Sequence, residues 1–193
     1  MYTELDIVND VLAGPGYAPV ATTDTRHPAV RDALRQIDLA RKALLKQKWW
    51  FNHYYSVLPR QPDRRIMLPQ YTTSVIAADS SFLNAYAQRG RYLYNVVYQT
   101  YEFDADVSAF VTVAPPIEHL PPVAQDVVRC AARLRFYVEK GGTAKGQLMD
   151  RELTEARGYL TQEHLQQSKA NWLSSPMGAH KYIVPFQNAW KQE

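Results

Sequence analysis

Helical periodicity in this chain stops at Trp49-Trp50-Phe51-Asn52 and resumes only after Pro121-Pro122. On either side of that stretch, apolar residues recur every three or four positions, which is the spacing of an amphipathic helix. Between them, bulky aromatic and β-branched residues follow one another to about residue 113, as is typical of strands. One element cannot follow both periods, so the chain is predicted to be an α+β protein with a β-rich insertion at about 50–114.

The N- and C-terminal helices are predicted to pack together as an antiparallel bundle within a single domain. Pro28 and Pro122 suit the first turns of the two long helices. The joint at Gly141-Gly142 is short enough to make the last two helices antiparallel neighbours, and Thr143 is expected to cap the last one. The bundle is expected to comprise 1–48 and 120–168, with helices at 4–13, 28–48, 122–140 and 143–168.

The insertion, at 49–119, is predicted to contain short strands joined by tight turns. Its clearest hairpin is expected to turn at Gln88-Arg89-Gly90. The chain after 168 is apolar but aperiodic, so 169–193 is predicted to be an extended docking tail that packs on its own bundle or on a neighbouring subunit. The strands are expected at 54–58, 73–77, 82–87, 91–98 and 107–113.

Charge and composition exclude several classes of protein. Lys and Arg number 22 against 19 Asp and Glu, and the net charge of +3 is too small for a strongly electrostatic nucleic-acid binder. A single cysteine, Cys130, excludes internal disulfides and Cys-based zinc sites, and the five histidines form no ligand pair, so no metal or cofactor is expected. No signal peptide and no run of about 18 apolar residues occurs, so no membrane insertion is expected.

Three alternating carboxylates form the best candidate for catalytic chemistry. On a strand, Glu102, Asp104 and Asp106 would share one face and could serve glycoside hydrolysis or bind a cation. In an acidic turn between two strands they would have no catalytic role, and this is the favoured interpretation. No nucleophile motif accompanies them, so the residues favour a structural or interaction protein over an enzyme.

The second predicted helix carries a basic face that could contact phosphates or an acidic partner, although a solvated face is the simpler interpretation. Directly after it, Trp49-Trp50-Phe51 could stack on nucleic-acid bases. A core anchor between helix and strand is the more common role for such residues, and it is the prediction adopted for this segment.

Six segments of the chain occur in a characteristic order. They are Ile7–Ala13, Lys46–Asn52, Gln88–Asn95, Thr100–Asp104, Glu118–Pro122 and Val127–Phe136. In this order of segments, the chain resembles the tail tubular protein A family of short-tailed bacteriophages (podoviruses). This resemblance implies a structural virion protein that forms a dodecameric ring, the head-to-tail adaptor, below the portal protein. It further implies contacts with a tubular nozzle protein (tubular protein B-like) and tail fibres, and genomic DNA passing through the lumen.

The family has no catalytic residues or cofactor to carry over, so only contact surfaces are expected. We expect the protein in the virion tail, after synthesis in the host cytoplasm. The alternatives left open are a tail hydrolase acting on bacterial surface polysaccharide through the 102–106 carboxylates, and a non-specific DNA-binding module. The candidate portal- or lumen-facing residues are Arg31, Arg35, Arg41 and Lys42, and the candidate nozzle- or fibre-side residues are Arg89, Gly90, Arg91, Tyr92 and Tyr94.

Overall fold

The computed structural model describes residues 2–24, 26–78 and 85–174, with side chains up to residue 168. Within these residues the chain is a mixed α+β protein, as predicted, with four α-helices and two small antiparallel sheets. The helices are α1 (Glu4–Ala13), α2 (Pro28–Leu45), α3 (Pro122–Glu139) and α4 (Gly146–Ser174). The strands are β1 (His53–Leu58), β2 (Thr72–Ala77), β3 (Tyr86–Arg89), β4 (Tyr92–Asn95) and β5 (Val107–Val113).

Local sequence signals set the helix starts. The Thr3 hydroxyl accepts a hydrogen bond from the Asp6 amide, and the Asp6 carboxylate accepts one from the Thr3 amide, so α1 begins with a capping box. Proline occupies the first turn of both α2 and α3.

The predicted bounds of the last helix are wrong at both ends. The helix does not begin directly after Thr143, because the chain turns until Gly146. It also continues six residues beyond the end predicted at 168.

A buried asparagine ends α2 three residues before the predicted end at 48. The Asn52 amide nitrogen donates to the carbonyls of Leu45 at 3.2 Å and Gln47 at 3.1 Å, and its carbonyl accepts from the Trp49 amide at 2.8 Å. Free carbonyls at a helix end need such partners. Because the Asn52 backbone carbonyl also accepts from the Val113 amide, the same residue ties the end of α2 to β5.

Helix α3 packs against each of the other three helices. Its buried residues include Ala124, Val128 and Phe136, which meet Ile7 and Val11 of α1 in one apolar core. The core also takes in residues from α2 and α4. Small alanines along α3 let its neighbours approach closely, so this helix is the centre of the helical part.

The strands form a second apolar core. The three-stranded sheet has the order β1-β5-β2, and β5 pairs antiparallel with both neighbours. Leu58, Val111 and Phe103 lie in this core with Ile66 and Leu93, which come from the segment beside the hairpin and from the hairpin itself. The insertion therefore has its own packing and does not merely extend the helical core.

The β3–β4 hairpin differs from its predicted form. Gln88 and Arg89 lie in β3, and the chain turns at Gly90-Arg91, where Gly90 has a φ of 63° that favours glycine. The predicted strand 91–98 is too long, because β4 ends at Asn95 and the chain turns again at 96–99. Residues 82–84, half of the strand predicted at 82–87, lie outside the described residues, and β3 begins at Tyr86.

The docking tail was predicted at 169–193, but its first residues, up to Ser174, belong to α4, and the chain from 175 onward lies outside the described residues. Among the helices within the described part of the chain, none combines the length and the apolar character needed to cross a bilayer.

Candidate assembly surfaces

The basic face of α2 is exposed, and part of its charge is paired within the chain. Arg35 forms an ion pair with Glu139 of α3 at 2.8 Å, and Lys42 forms one with Asp38 at 2.6 Å, yet both basic side chains remain about 60% exposed. Arg31 is exposed and forms no ion pair with another described residue. This face can present positive charge to a partner through these three side chains.

Arg41, the fourth residue of the predicted basic set, is held inside the molecule. Its guanidinium donates to the carbonyls of Ala114 at 3.0 Å and Pro115 at 2.7 Å, and it pairs with Asp38 at 2.9 Å. The side chain is only 19% exposed. Arg41 therefore joins α2 to the segment that follows β5.

Two carboxylates of α2 titrate below their usual range. Lys140 of α3 donates a hydrogen bond to the Asp32 carboxylate, and this charged contact lowers the pKa of Asp32. Burial alone would raise the pKa of Asp38, but the hydrogen bonds from Lys42 and Arg41 outweigh burial and lower it. Both groups therefore stay ionised at neutral pH. Asp32 links α2 to α3 through Lys140, and Asp38 holds Arg41 and Lys42 of the basic face in place.

The hairpin turn exposes two arginines without a carboxylate partner among the described residues. The Arg89 guanidinium lies 3.6 Å from the centre of the Tyr94 ring, a cation–π contact, while Arg91 extends from the turn beside Gly90. Tyr94 itself is 8% exposed and packs edge-on against Tyr101, so its ring lies within the subunit. Tyr92 is half-buried.

The three candidate catalytic carboxylates lie in a loop before β5, as the acidic-turn interpretation predicted. Arg64 forms ion pairs with both Glu102 and Asp104, and Asp106 accepts a hydrogen bond from the Arg60 amide at 2.9 Å. The Asp104 side chain is 92% exposed. Such solvated, paired carboxylates lack the enclosed apolar surroundings that adapt a carboxyl group to acid catalysis.

The Trp49-Trp50-Phe51 segment anchors the α2–β1 junction, as the core interpretation predicted. The Trp49 indole N–H donates to the Leu44 carbonyl at 3.0 Å, and all three rings pack against the helical core. His164 of α4 packs edge-on against Trp49 and stacks on Trp50. These contacts leave the indole faces occupied within the chain.

Two exposed features escaped the sequence analysis. One is the turn at 96–99, where Val97 is 66% and Tyr98 76% exposed. The other is a groove of about 280 Å³ between α2, α3 and α4, and its lining includes Arg135 and Arg157. The turn could have been suspected from Asn95, whose side chain favours turns, but the groove arises only when three helices pack.

Within the described residues, no group of three or more His, Cys, Asp or Glu side chains is placed to hold a metal ion. Cys130 is a free, buried residue of α3, and burial raises the pKa of its thiol. A thiol in this state is a small core residue and a poor nucleophile.

Comparison with known proteins finds similarity over most of the chain. A family model described as tail tubular protein matches residues 5–170. The chain is also 25% identical over 167 residues to the tail tubular protein A of Klebsiella phage KP34, a match that covers 86% of this chain and 89% of the relative.

Proposed function

The chain belongs to the tail tubular protein family, and is thus a structural protein of a phage tail; on this basis we propose that it is the adaptor subunit between portal and tail nozzle. The observation that carries the proposal is the family match, which runs from residue 5 to residue 170 and so includes the helices and the β insertion. In this role, copies of the chain form a dodecameric ring below the portal, and genomic DNA passes through its lumen.

The architecture suits a ring subunit. A ring closes when each copy offers two different lateral surfaces that match head to tail. The helical part can supply a rigid wall as an antiparallel bundle, because its helices share one continuous core. The β insertion has a core of its own and projects other surfaces from the same subunit.

The basic face of α2 is the proposed contact with the portal or the lumen. Arg31, Arg35 and Lys42 are its exposed cations, and Arg41 fixes the helix that presents them. With a net charge of only +3 the subunit would not hold DNA strongly, since each phosphate contact adds to a salt-dependent affinity. A channel wall needs this weak attraction so that DNA can move past it.

The hairpin turn is the proposed contact with the nozzle or the tail fibres. Arg89, Gly90 and Arg91 are exposed there, and Tyr92 flanks them. Tyr94 supports the turn from inside, because its ring lies under the Arg89 guanidinium. An acidic patch on the partner would complete this contact.

The contact of the 102–106 carboxylates with Arg64 and Arg60 argues against a polysaccharide hydrolase. The Asp104→Asn, Asp106→Asn double variant tests this alternative. Assembly should be retained, and any hydrolysis of bacterial surface polysaccharide that the wild-type protein shows should be unchanged in the variant. A loss of hydrolysis in the double variant would restore the enzymatic hypothesis.

The adaptor proposal is tested by the native mass of the purified protein, alone and mixed with its cognate portal ring. One adaptor subunit for each portal subunit in a discrete complex is the expected result. A protein that stays monomeric and never associates with the portal would overturn the proposal. Steep salt-dependent DNA binding by that monomer would instead favour the DNA-binding alternative.

A further inference from the structure

We infer that neighbouring copies meet along the paired helices α3 and α4, where Arg157 of one copy enters an acidic cleft around Glu155 of the next. This inference rests on the proposed ring and identifies the two lateral surfaces that close it. The two surfaces lie on opposite sides of the same helix pair. The acidic flank comprises Asp126, Glu152, Glu155 and Tyr159, and the basic flank comprises Arg135 and Arg157.

Helical spacing places the two flanks on opposite sides of the helix pair. Glu155 and Arg157 are two positions apart on α4, so their side chains leave the helix in directions about 160° apart. The same separation holds on α3, where Arg133 lines the cleft of Glu155 and Arg135 lines the groove of Arg157. Leu153 points between the two directions and is buried in the shared core. A surface is therefore available on either side of the line where α3 and α4 meet.

The acidic flank surrounds a cleft of about 470 Å³ that carries net negative charge. The two arginines of the cleft are already paired within the chain. Arg129 forms ion pairs with Asp10 at 2.9 Å and with Asp126 at 3.2 Å. Arg133 forms one with Glu152 at 3.2 Å. These three carboxylates outnumber the two guanidinium groups, and Glu155 adds a fourth negative charge to the cleft.

Glu155 is the carboxylate left over in the cleft. It is exposed and forms no ion pair with another described residue. One turn further along α4, Tyr159 is 65% exposed and lines the same cleft. The charge of Asp126 raises the pKa of Tyr2 even though Arg129 opposes it, so the field in the cleft is negative. A guanidinium can bond to a carboxylate and stack on a neighbouring aromatic ring, so this cleft suits an arginine.

The basic flank offers such an arginine. Arg135 of α3 and Arg157 of α4 are both exposed, and neither has a carboxylate partner within the described part of the chain. The groove between α2, α3 and α4 that they line holds no acidic side chain among the described residues. The unpaired charges of the two flanks are therefore opposite in sign, so one flank attracts the other.

The position of the two groups suits a closed ring, and a second copy of the chain is the occupant. Copies in a ring are related by rotation about its axis, so an atom of one copy meets atoms at a similar height in the next. Residues two apart on a helix have Cα atoms about 5 Å apart, so Glu155 and Arg157 differ little in height however α4 is tilted. The contact joins two unlike surfaces of identical copies, and each copy uses each flank once.

Exchanging the charges between copies tests this pairing. Glu155→Arg and Arg157→Glu, each introduced alone, place like charges at every proposed contact. Each should therefore raise the protein concentration needed to fill the cognate portal ring by at least about tenfold. An equal mixture of the two variants should recover assembly, because an alternating ring places opposite charges at every contact.

The double variant Glu155→Arg, Arg157→Glu should also assemble, since both charges are reversed together. Residues two apart on a helix do not face each other, so this recovery does not arise from a new contact within one copy. Arg151→Glu is the matched control, because Arg151 is an exposed cation of α4 that lines neither the cleft nor the groove. Its effect on assembly should stay within about twofold. Circular dichroism of every purified variant should match the wild type.

The outcomes separate the two proposals. Normal filling of the portal ring by both single variants overturns the flank pairing and leaves the adaptor role intact. The pairing is also overturned, with the adaptor role intact, if the single variants fail to assemble and their mixture fails as well. Failure of the wild-type chain to form any ring on the portal overturns both proposals.

Discussion

Replacing Asn52 with alanine should destabilise the protein far more than its position in a turn suggests. The side chain is completely buried and makes three hydrogen bonds to backbone groups of the α2–β1 junction. Alanine removes all three bonds and leaves a small cavity. Among the described residues, no other hydrogen-bond partner is then left for the carbonyl of Leu45 or the amide of Trp49.

The magnitude follows from what each backbone group loses. Leu45 is buried, so its carbonyl stays unsatisfied at a cost of about 2 kcal/mol, while water can reach the more exposed Gln47 and Trp49 at about 1 kcal/mol each. The free energy of unfolding should therefore fall by about 4 kcal/mol, a large fraction of the stability of a typical domain. The melting temperature should drop by about 10 °C for a chain of this size.

Urea unfolding followed by tryptophan fluorescence measures the loss, because Trp49 and Trp50 adjoin the substituted residue. Gln47→Ala is the matched control: the Gln47 side chain is exposed and only its backbone carbonyl takes part, so its effect should stay within about 0.5 kcal/mol. A loss below about 1 kcal/mol in Asn52→Ala would refute the argument that this side chain holds the junction. An unchanged m-value is required for the comparison.

The other predictions concern the turns and one ion pair. Reversing the charge of Arg89 and Arg91 to glutamate should weaken one assembly step while circular dichroism shows a folded monomer; normal particle assembly would contradict the proposed role of the hairpin turn. Gly142→Ala should cost about 1–3 kcal/mol in thermal unfolding, because the new Cβ would clash with the Tyr137 ring. The lowered pKa of Asp32 means that its stabilisation is present above about pH 4 and lost as the pH falls through its folded-state value, so Asp32→Asn should flatten the dependence of the urea midpoint on pH in that range.

The helices were predictable because their signals are local. Local signals predict the bounds of α1 and α3 almost residue by residue. These signals are the capping Thr3, the prolines at the first turns and the apolar stripes. The end of α2 was not predictable in this way, since Asn52 acts on carbonyls up to seven residues back in the chain. The backbone carbonyl of the same residue also accepts a hydrogen bond from Val113 of β5, a distant contact that the sequence around α2 does not indicate.

The hairpin was harder because its register depends on tertiary pairing. The segment from Ile66 to Leu68 forms hydrogen bonds to β4, which fixes where the strand runs and lets Gln88 and Arg89 extend β3. The turn at Gln99 takes a positive φ in a non-glycine residue, so no glycine marks it in the sequence. Helical spacing was enough to predict the exposed basic residues of α2. The burial of Arg41 and Tyr94 was not predictable, because it depends on contacts with segments distant in the sequence.

A ring subunit has a particular need for a stiff connection between its helical part and its sheet. In a closed ring of identical copies, an angular error at one junction is repeated at every copy, so small deviations prevent closure. Arg41 bonds to two carbonyls beyond β5 and to Asp38 of its own helix, and Asn52 links the end of α2 to the same strand. The planar guanidinium suits this task because it makes several directed hydrogen bonds at once, which a lysine could not. In the proposed ring, neighbouring copies can match only if Arg41 and Asn52 hold the sheet at a constant position relative to α2, so the burial of Arg41 would contribute to assembly through geometry, whereas the exposed cations of α2 are the proposed contacts with the portal or the DNA.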